Sequence, residues 1–203
     1  MALSIVTMIL SLFLGLTVSI FAFLILLTPT LVGILYSVRV SSSLPRLKEI
    51  VGAKSVLVAF SWSLYGAFLP LALQGSEWEN ITLVFAYIFI QVIINTILFD
   101  FLDTRGDKDS GIKTIPIVFG PEKTKKVLFL VNTSLALMII IFGVDGDFLK
   151  VMPALFFGVV YGYFIIWHFL KDPINRLSAE LMIDGAWFPL VALVKIILIL
   201  SRF

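Results

Sequence analysis

The feature that most constrains this chain is an apolar run from Leu3 to Tyr36 that holds no charged residue. A helix crossing the hydrocarbon of a bilayer needs about 20 apolar residues, so the run is too long for one span. It reads as two tightly turned helices, residues 2–18 and 20–37, with the break at Thr17–Ser19. One steeply tilted helix is the alternative. Further spans are expected at Ala53–Leu73, Ile81–Leu102, Lys126–Phe142, Met152–Leu170 and Leu181–Leu200. Turn signals separate them at Gln74-Gly75-Ser76-Glu77, Gly143-Val144-Asp145-Gly146-Asp147 and Lys171-Asp172-Pro173-Ile174-Asn175. The expected fold is all-α: a polytopic transmembrane helical bundle of about seven helices, with residues 1–203 forming a single transmembrane domain.

Composition agrees. Only 14% of the residues are charged and 60% are hydrophobic, where a soluble domain carries roughly 25% charged residues. The net charge of +2 gives no reason to invoke nucleic acid. Without cysteine, disulfides, zinc–thiolate sites and thiol catalysis are excluded. The N-terminal residues lack the basic segment and cleavage site of a secretory signal, so the first apolar stretch is expected to stay as a helix.

Threading the spans alternately sorts the loops into two sets. One holds Arg39, Arg46, Lys48, Lys54, Arg105, Lys108, Lys113, Lys123, Lys125, Lys126, Lys171 and Arg176; the other holds Lys150 and Arg202 beside Glu77, Glu79, Asp145 and Asp147. Cations favour the cytoplasmic side. The N-terminus and the basic loops are therefore expected in the cytoplasm and the C-terminus outside, in a multi-pass protein of the cell membrane. The same bias favours two helices over one in residues 3–36, because one would place the N-terminus outside.

Every Asp lies at or after position 100, and the densest group is Asp100-Phe101-Leu102-Asp103-Thr104-Arg105-Gly106-Asp107-Lys108-Asp109. Asp100, Asp103 and Asp107 fall within about 60° on one helical face. Converging carboxylates repel one another unless a cation lies among them. Oxygen-only donors suit a hard ion such as Mg²⁺ shared with substrate phosphates. Gly106 offers a turn after the second carboxylate, and Arg105, Lys108 and Lys113 supply charge for a phosphate oxygen. A solvated helix end is the plain alternative. It is weakened because Asp100 begins inside an apolar run, where ionisable groups mark function.

These residues carry a resemblance. Asp100-x-x-Asp103-x-x-Gly106-Asp107, then Gly111-Ile112-Lys113-Thr114-Ile115-Pro116 and Phe119-Gly120, resembles the second Asp-rich motif of UbiA-type intramembrane prenyltransferases. Leu35-Tyr36-Ser37-x-Arg39, with Lys54 leading into Ser61-Trp62, resembles the family's segment between its fourth and fifth helices. Asp184-Gly185-x-Trp187 resembles the opening of its last helix. The resemblance implies helices three to nine of that fold, around a central cavity. It also implies Mg²⁺-assisted transfer of a prenyl group from a prenyl diphosphate to a lipid or aromatic acceptor among membrane lipids. Carried over, Asp100, Asp103 and Asp107 would serve the metal and catalysis, Lys113, Arg105 and Arg39 would face the diphosphate, and Tyr36 would line the cavity near the leaving group.

The chain departs from the family: it has about seven helices where the family has nine, it has no Asp or Glu before Glu49, so the first Asp-rich motif is absent, and Asn95 and Phe99 stand where relatives often carry cations. Activity alone is therefore expected to be lacking. The chain would be a fragment of a full enzyme, a non-catalytic membrane subunit or prenyl-lipid-binding homologue, or one member of a pair whose other chain supplies the first two helices. His168 reads as an interfacial residue, Lys195 as a snorkelling charge and Asp184 as a helix-start charge.

Overall fold

The structure, a computed structural model, describes residues 2–37, 47–74, 81–143, 147–169 and 175–201. Its elements are α1 (Ala2–Val18), α2 (Ile20–Ser37), a 3-10 turn (Leu47–Glu49), α3 (Ala53–Gln74), α4 (Ile81–Leu102), α5 (Thr104–Asp109), α6 (Ile115–Phe142), α7 (Asp147–Phe169), α8 (Arg176–Gly185) and α9 (Trp187–Leu200). Among the described residues, six stretches are long and apolar enough to cross a membrane, and Leu3–Val18 is a shorter apolar helix. The chain is thus all-α and polytopic, as expected. Large apolar side chains such as Phe13, Leu130 and Phe188 stand exposed on these helices. Exposed apolar surface on this scale is at home in lipid, not water.

Two compact units follow one another, Met1–Phe89 and Ile90–Phe203, with α4 passing from the first into the second. In the first unit α1 and α2 fold back on each other. Thr30 Oγ1 donates to Met8 Sδ at 3.4 Å, whereas one unbroken helix would hold these residues about 33 Å apart. Ser19 marks the break, and its hydroxyl accepts from the Ala22 N–H at 3.0 Å, an N-cap contact that starts α2. Pro29 removes a donor from α2 and loosens the turn before it. Tyr65 Oη of α3 donates to the Leu26 carbonyl in that turn at 3.4 Å. Edge-on ring contacts, Phe21–Phe68 at 6.3 Å and Phe68–Phe85 at 5.9 Å, tie α2, α3 and the start of α4 together.

The core of the second unit gathers Ile94, Ile97 and Leu98 of α4 with Leu128 of α6, Ile166 of α7 and Ile183 of α8. Here the helices run longer than hydropathy alone predicts. The fifth span was expected from Lys126, yet α6 begins at Ile115. Lys123, Lys125 and Lys126 interrupt the apolar pattern without ending the helix, since long cationic stems lie along apolar surface; Lys125 Nζ reaches 6.0 Å from the Phe129 ring centroid. The sequence break lies instead at Gly120, with φ 75° and ψ 169° followed by Pro121. Only glycine takes that conformation readily. Gly120→Ala is expected to destabilise the chain by about 1–3 kcal/mol and to lower its thermal midpoint. Gly106→Ala is the control, because its added Cβ meets no atom within 4 Å.

The last span likewise starts earlier than Leu181. Asn175 Oδ1 accepts from the Ser178 N–H at 2.8 Å, capping α8 at Arg176. An interruption at Ala186 separates α8 from α9, next to the donor lost at Pro189. Neighbouring side chains reach the carbonyls just before it: Tyr161 Oη donates to Met182 at 3.0 Å and Asn95 Nδ2 to Ile183 at 3.4 Å. Such capture is how a bent membrane helix keeps its backbone satisfied.

Candidate functional site

The acidic segment sits where α4 gives way to α5. Asp103 stands between the two helices at φ −94° and ψ 9°. Thr104 Oγ1 donates back to the carbonyls of Phe101 at 2.7 Å and Asp100 at 3.1 Å, a local bond that competes with regular helix. Asp100 and Asp107 are buried, at 1% and 6% exposure. A carboxylate sunk to that degree at the end of an apolar span is costly, which marks Asp100 as more than a surface charge.

Asp103 behaves differently. It is half-exposed, and its Oδ1 accepts from Arg176 Nη1 at 3.1 Å, while Arg176 Nε donates to Glu180 Oε1 at 2.8 Å. The three carboxylates are therefore not gathered into one cage. Among the described residues no three Asp, Glu or His side chains stand close enough to hold an ion together. Asp103 carries turn-like dihedrals, and its side chain meets the guanidinium of Arg176, 73 residues away at the start of α8.

After α5 the chain turns at Gly111, not at Gly106. Gly111 takes φ 68°, with Ile112 N–H bonded to the Asp107 carbonyl at 2.9 Å and Gly111 N–H to that of Lys108 at 3.1 Å. This paired closure is the Schellman ending, which places glycine one residue past the helix cap. It leads through an exposed Lys113 to Thr114, the extended N-cap of α6. Pro116, in the first turn, has no N–H to offer the Thr114 hydroxyl. That hydroxyl, on a residue 1% exposed, finds no hydrogen-bond partner among the described residues. A buried orphan oxygen beside uncapped helix N–H groups suits a ligand carrying phosphate oxygens. Arg105, on α5, is exposed.

Tyr36 belongs to the first unit. With Pro29, Val32 and Gly33 of α2, and Lys54, Ser61, Trp62 and Tyr65 of α3, it lines a cavity of about 380 Å³. The volume and the apolar, aromatic walls are those of a small-ligand pocket. Arg39 lies outside the described residues. His168 stacks on Phe164 at 5.7 Å between centroids, in keeping with a packing role.

The sequence profile of the UbiA prenyltransferase family matches residues 1–192. The chain belongs to the UbiA prenyltransferase family. It is accordingly a prenyltransferase-like membrane protein. No curated protein matches it, and no solved structure does. For a UbiA-type site, the donors present are hard oxygens, which suit Mg²⁺. That ion is commonly held by one or two carboxylates together with substrate phosphates. Asp100 and Asp107 supply such oxygens from buried positions, and among the described residues no three acids or histidines form a closed cage for a resident ion. Arg176, Glu180 and Thr114 are the residues that sequence reasoning did not single out for the site. The expected span began only at Leu181, so neither the Arg176–Glu180 pair nor the meeting of Arg176 with Asp103 was legible.

Proposed function

We propose that the chain binds a prenyl diphosphate at the cytoplasmic membrane face and serves transfer of its prenyl group to a lipid or aromatic acceptor. The observation that carries this reading is the burial of Asp100 within the acidic segment of a membrane helix, in a chain of the UbiA family. In the transfer, the bond from prenyl C1 to the bridging oxygen breaks and the diphosphate leaves with the electron pair. C1 bonds to the acceptor atom, which loses its proton. Mg²⁺, when bound, neutralises charge on the departing diphosphate. Asp100, Asp103 and Asp107 would hold that ion, and Lys113, Arg105 and Arg39 would face phosphate oxygens. The Thr114 hydroxyl and the start of α6 would offer donors. Tyr36 would line the cavity near the leaving group.

The 203 residues, acting as one transmembrane domain, hold no acidic residue before Glu49. A second chain or segment would then supply the other Asp-rich motif for turnover. The pairing of Asp103 with Arg176 favours a second reading, a homologue that binds prenyl lipid without transferring it.

Binding of a fluorescent prenyl diphosphate to the chain in nanodiscs tests both. Mg²⁺-dependent binding is expected, with transfer appearing once an Asp-rich segment is added. Binding that is equal in EDTA and Mg²⁺, or absent even with the added segment, would sink the reading.

A further inference from the structure

Arg176 is the first residue of α8, and its ion-pair partners Asp103 and Glu180 are both carboxylates. Neither takes two of its donors: Asp103 accepts from Nη1 and Glu180 from Nε. A guanidinium fork is matched best when two parallel N–H groups meet one carboxylate or phosphate. Here the fork is split between two acids. The pair to Asp103 also lies in solvent reach, with side-chain exposures of 67% for Arg176 and 39% for Asp103. Exposed ion pairs of this kind cost little to exchange. Glu180 sits one turn along the same helix and keeps Nε oriented when Nη1 changes partner.

We infer that Arg176 is a diphosphate-binding residue held in reserve by Asp103. On arrival of a Mg²⁺-bound diphosphate, Asp103 turns to the ion and the guanidinium fork passes to phosphate oxygens. One movement then supplies a ligand to the cation and a bidentate donor to the anion. The exchange makes two charges available together, so Mg²⁺ and diphosphate bind with mutual reinforcement. This inference rests on the diphosphate site proposed above. Arg176 Nε stays on Glu180 throughout, which makes Glu180 a positioning residue.

The test uses the full 203-residue chain in nanodiscs, with inorganic diphosphate plus Mg²⁺ as one probe and Mg²⁺ alone as the other. The added Asp-rich segment is included if wild type needs it to bind. Arg176→Ala is expected to weaken Mg²⁺-diphosphate binding by about 10-fold or more, the worth of a charge-assisted hydrogen bond. The same variant should bind Mg²⁺ alone more tightly than wild type, because Asp103 is released. Arg176→Lys keeps the charge without the fork and should fall between. Opposite signs for the two probes are not what a merely weakened fold produces. If wild type binds Mg²⁺-diphosphate and Arg176→Ala binds it equally well, the inference is overturned while the diphosphate site stands. If both probes weaken together, Arg176 is a structural prop and the inference is again overturned. If wild type binds no diphosphate in either condition, the site itself falls, and the role of Arg176 falls with it.

Discussion

Asp100→Asn is expected to weaken Mg²⁺-dependent prenyl diphosphate binding by about 100-fold or more. Loss of a residue that merely supports a metal ligand typically costs 10–100-fold, and a direct ligand should cost at least as much. The substitution keeps side-chain volume and removes one negative charge at a position only 1% exposed. Burial makes the charge count, because at that depth water screens it weakly. The fold should survive, since the amide keeps the shape of the carboxylate. A folded variant with lost binding is therefore the expected result. Asp107→Asn, at 6% exposure, should behave similarly. Asp103→Asn should do less in the absence of ligand, because its carboxylate already answers to Arg176. Calorimetric titration of Mg²⁺-diphosphate into each variant separates the three. Unchanged affinity in Asp100→Asn would remove the acidic segment from the reaction.

What could be read from the sequence follows from how far each interaction reaches along the chain. Apolar length is a local property, so α1 to α4 were placed within a residue or so, including the fold at Ser19. Helix ends governed by backbone closure were harder. Gly106 and Gly111 are equally plausible turning points in the sequence, and the pair of hydrogen bonds closing α5 chooses the second. The start of α6 was missed because a run of lysines breaks the hydropathy pattern but not the hydrogen bonding. Tyr36, Lys54, Ser61 and Trp62 belong to one family-like segment in the sequence, and the structure brings all four to one cavity. Asp103 was legible as an acid but not as the partner of Arg176, a contact 73 residues apart that no periodicity records. Thr114 lies within the motif, but that its hydroxyl goes without a partner among the described residues is not legible from residue spacing.

The second large effect is expected far from the acidic segment, where α6 crosses α7. Gly162 lies against Asn132, which is wholly buried and donates from Nδ2 to the Val159 carbonyl at 2.9 Å. A Cβ added at Gly162 would stand 2.6 Å from Asn132 Oδ1, 3.1 Å from Cγ and 3.3 Å from Nδ2. All three atoms belong to one planar amide, so the group cannot give way at its tip; it must swing as a unit and release Val159. Overpacking costs about 1–3 kcal/mol and an interhelical hydrogen bond in a membrane about 0.6–1.7 kcal/mol. Gly162→Ala should therefore destabilise the chain by about 2–4 kcal/mol. Gly66→Ala is the contrast: its Cβ meets Ile88 Cδ1, the far end of a flexible side chain that can rotate aside. It should cost less than about 1 kcal/mol. Because small residues at such crossings let helix backbones approach, the loss at Gly162 should shrink when Asn132 is first cut back to Ala. In a double-mutant cycle read by denaturation in mixed micelles, the two substitutions should be coupled by about 1 kcal/mol or more. Strict additivity would mean that the amide yields freely, and that the close approach of α6 and α7 does not depend on glycine at this crossing.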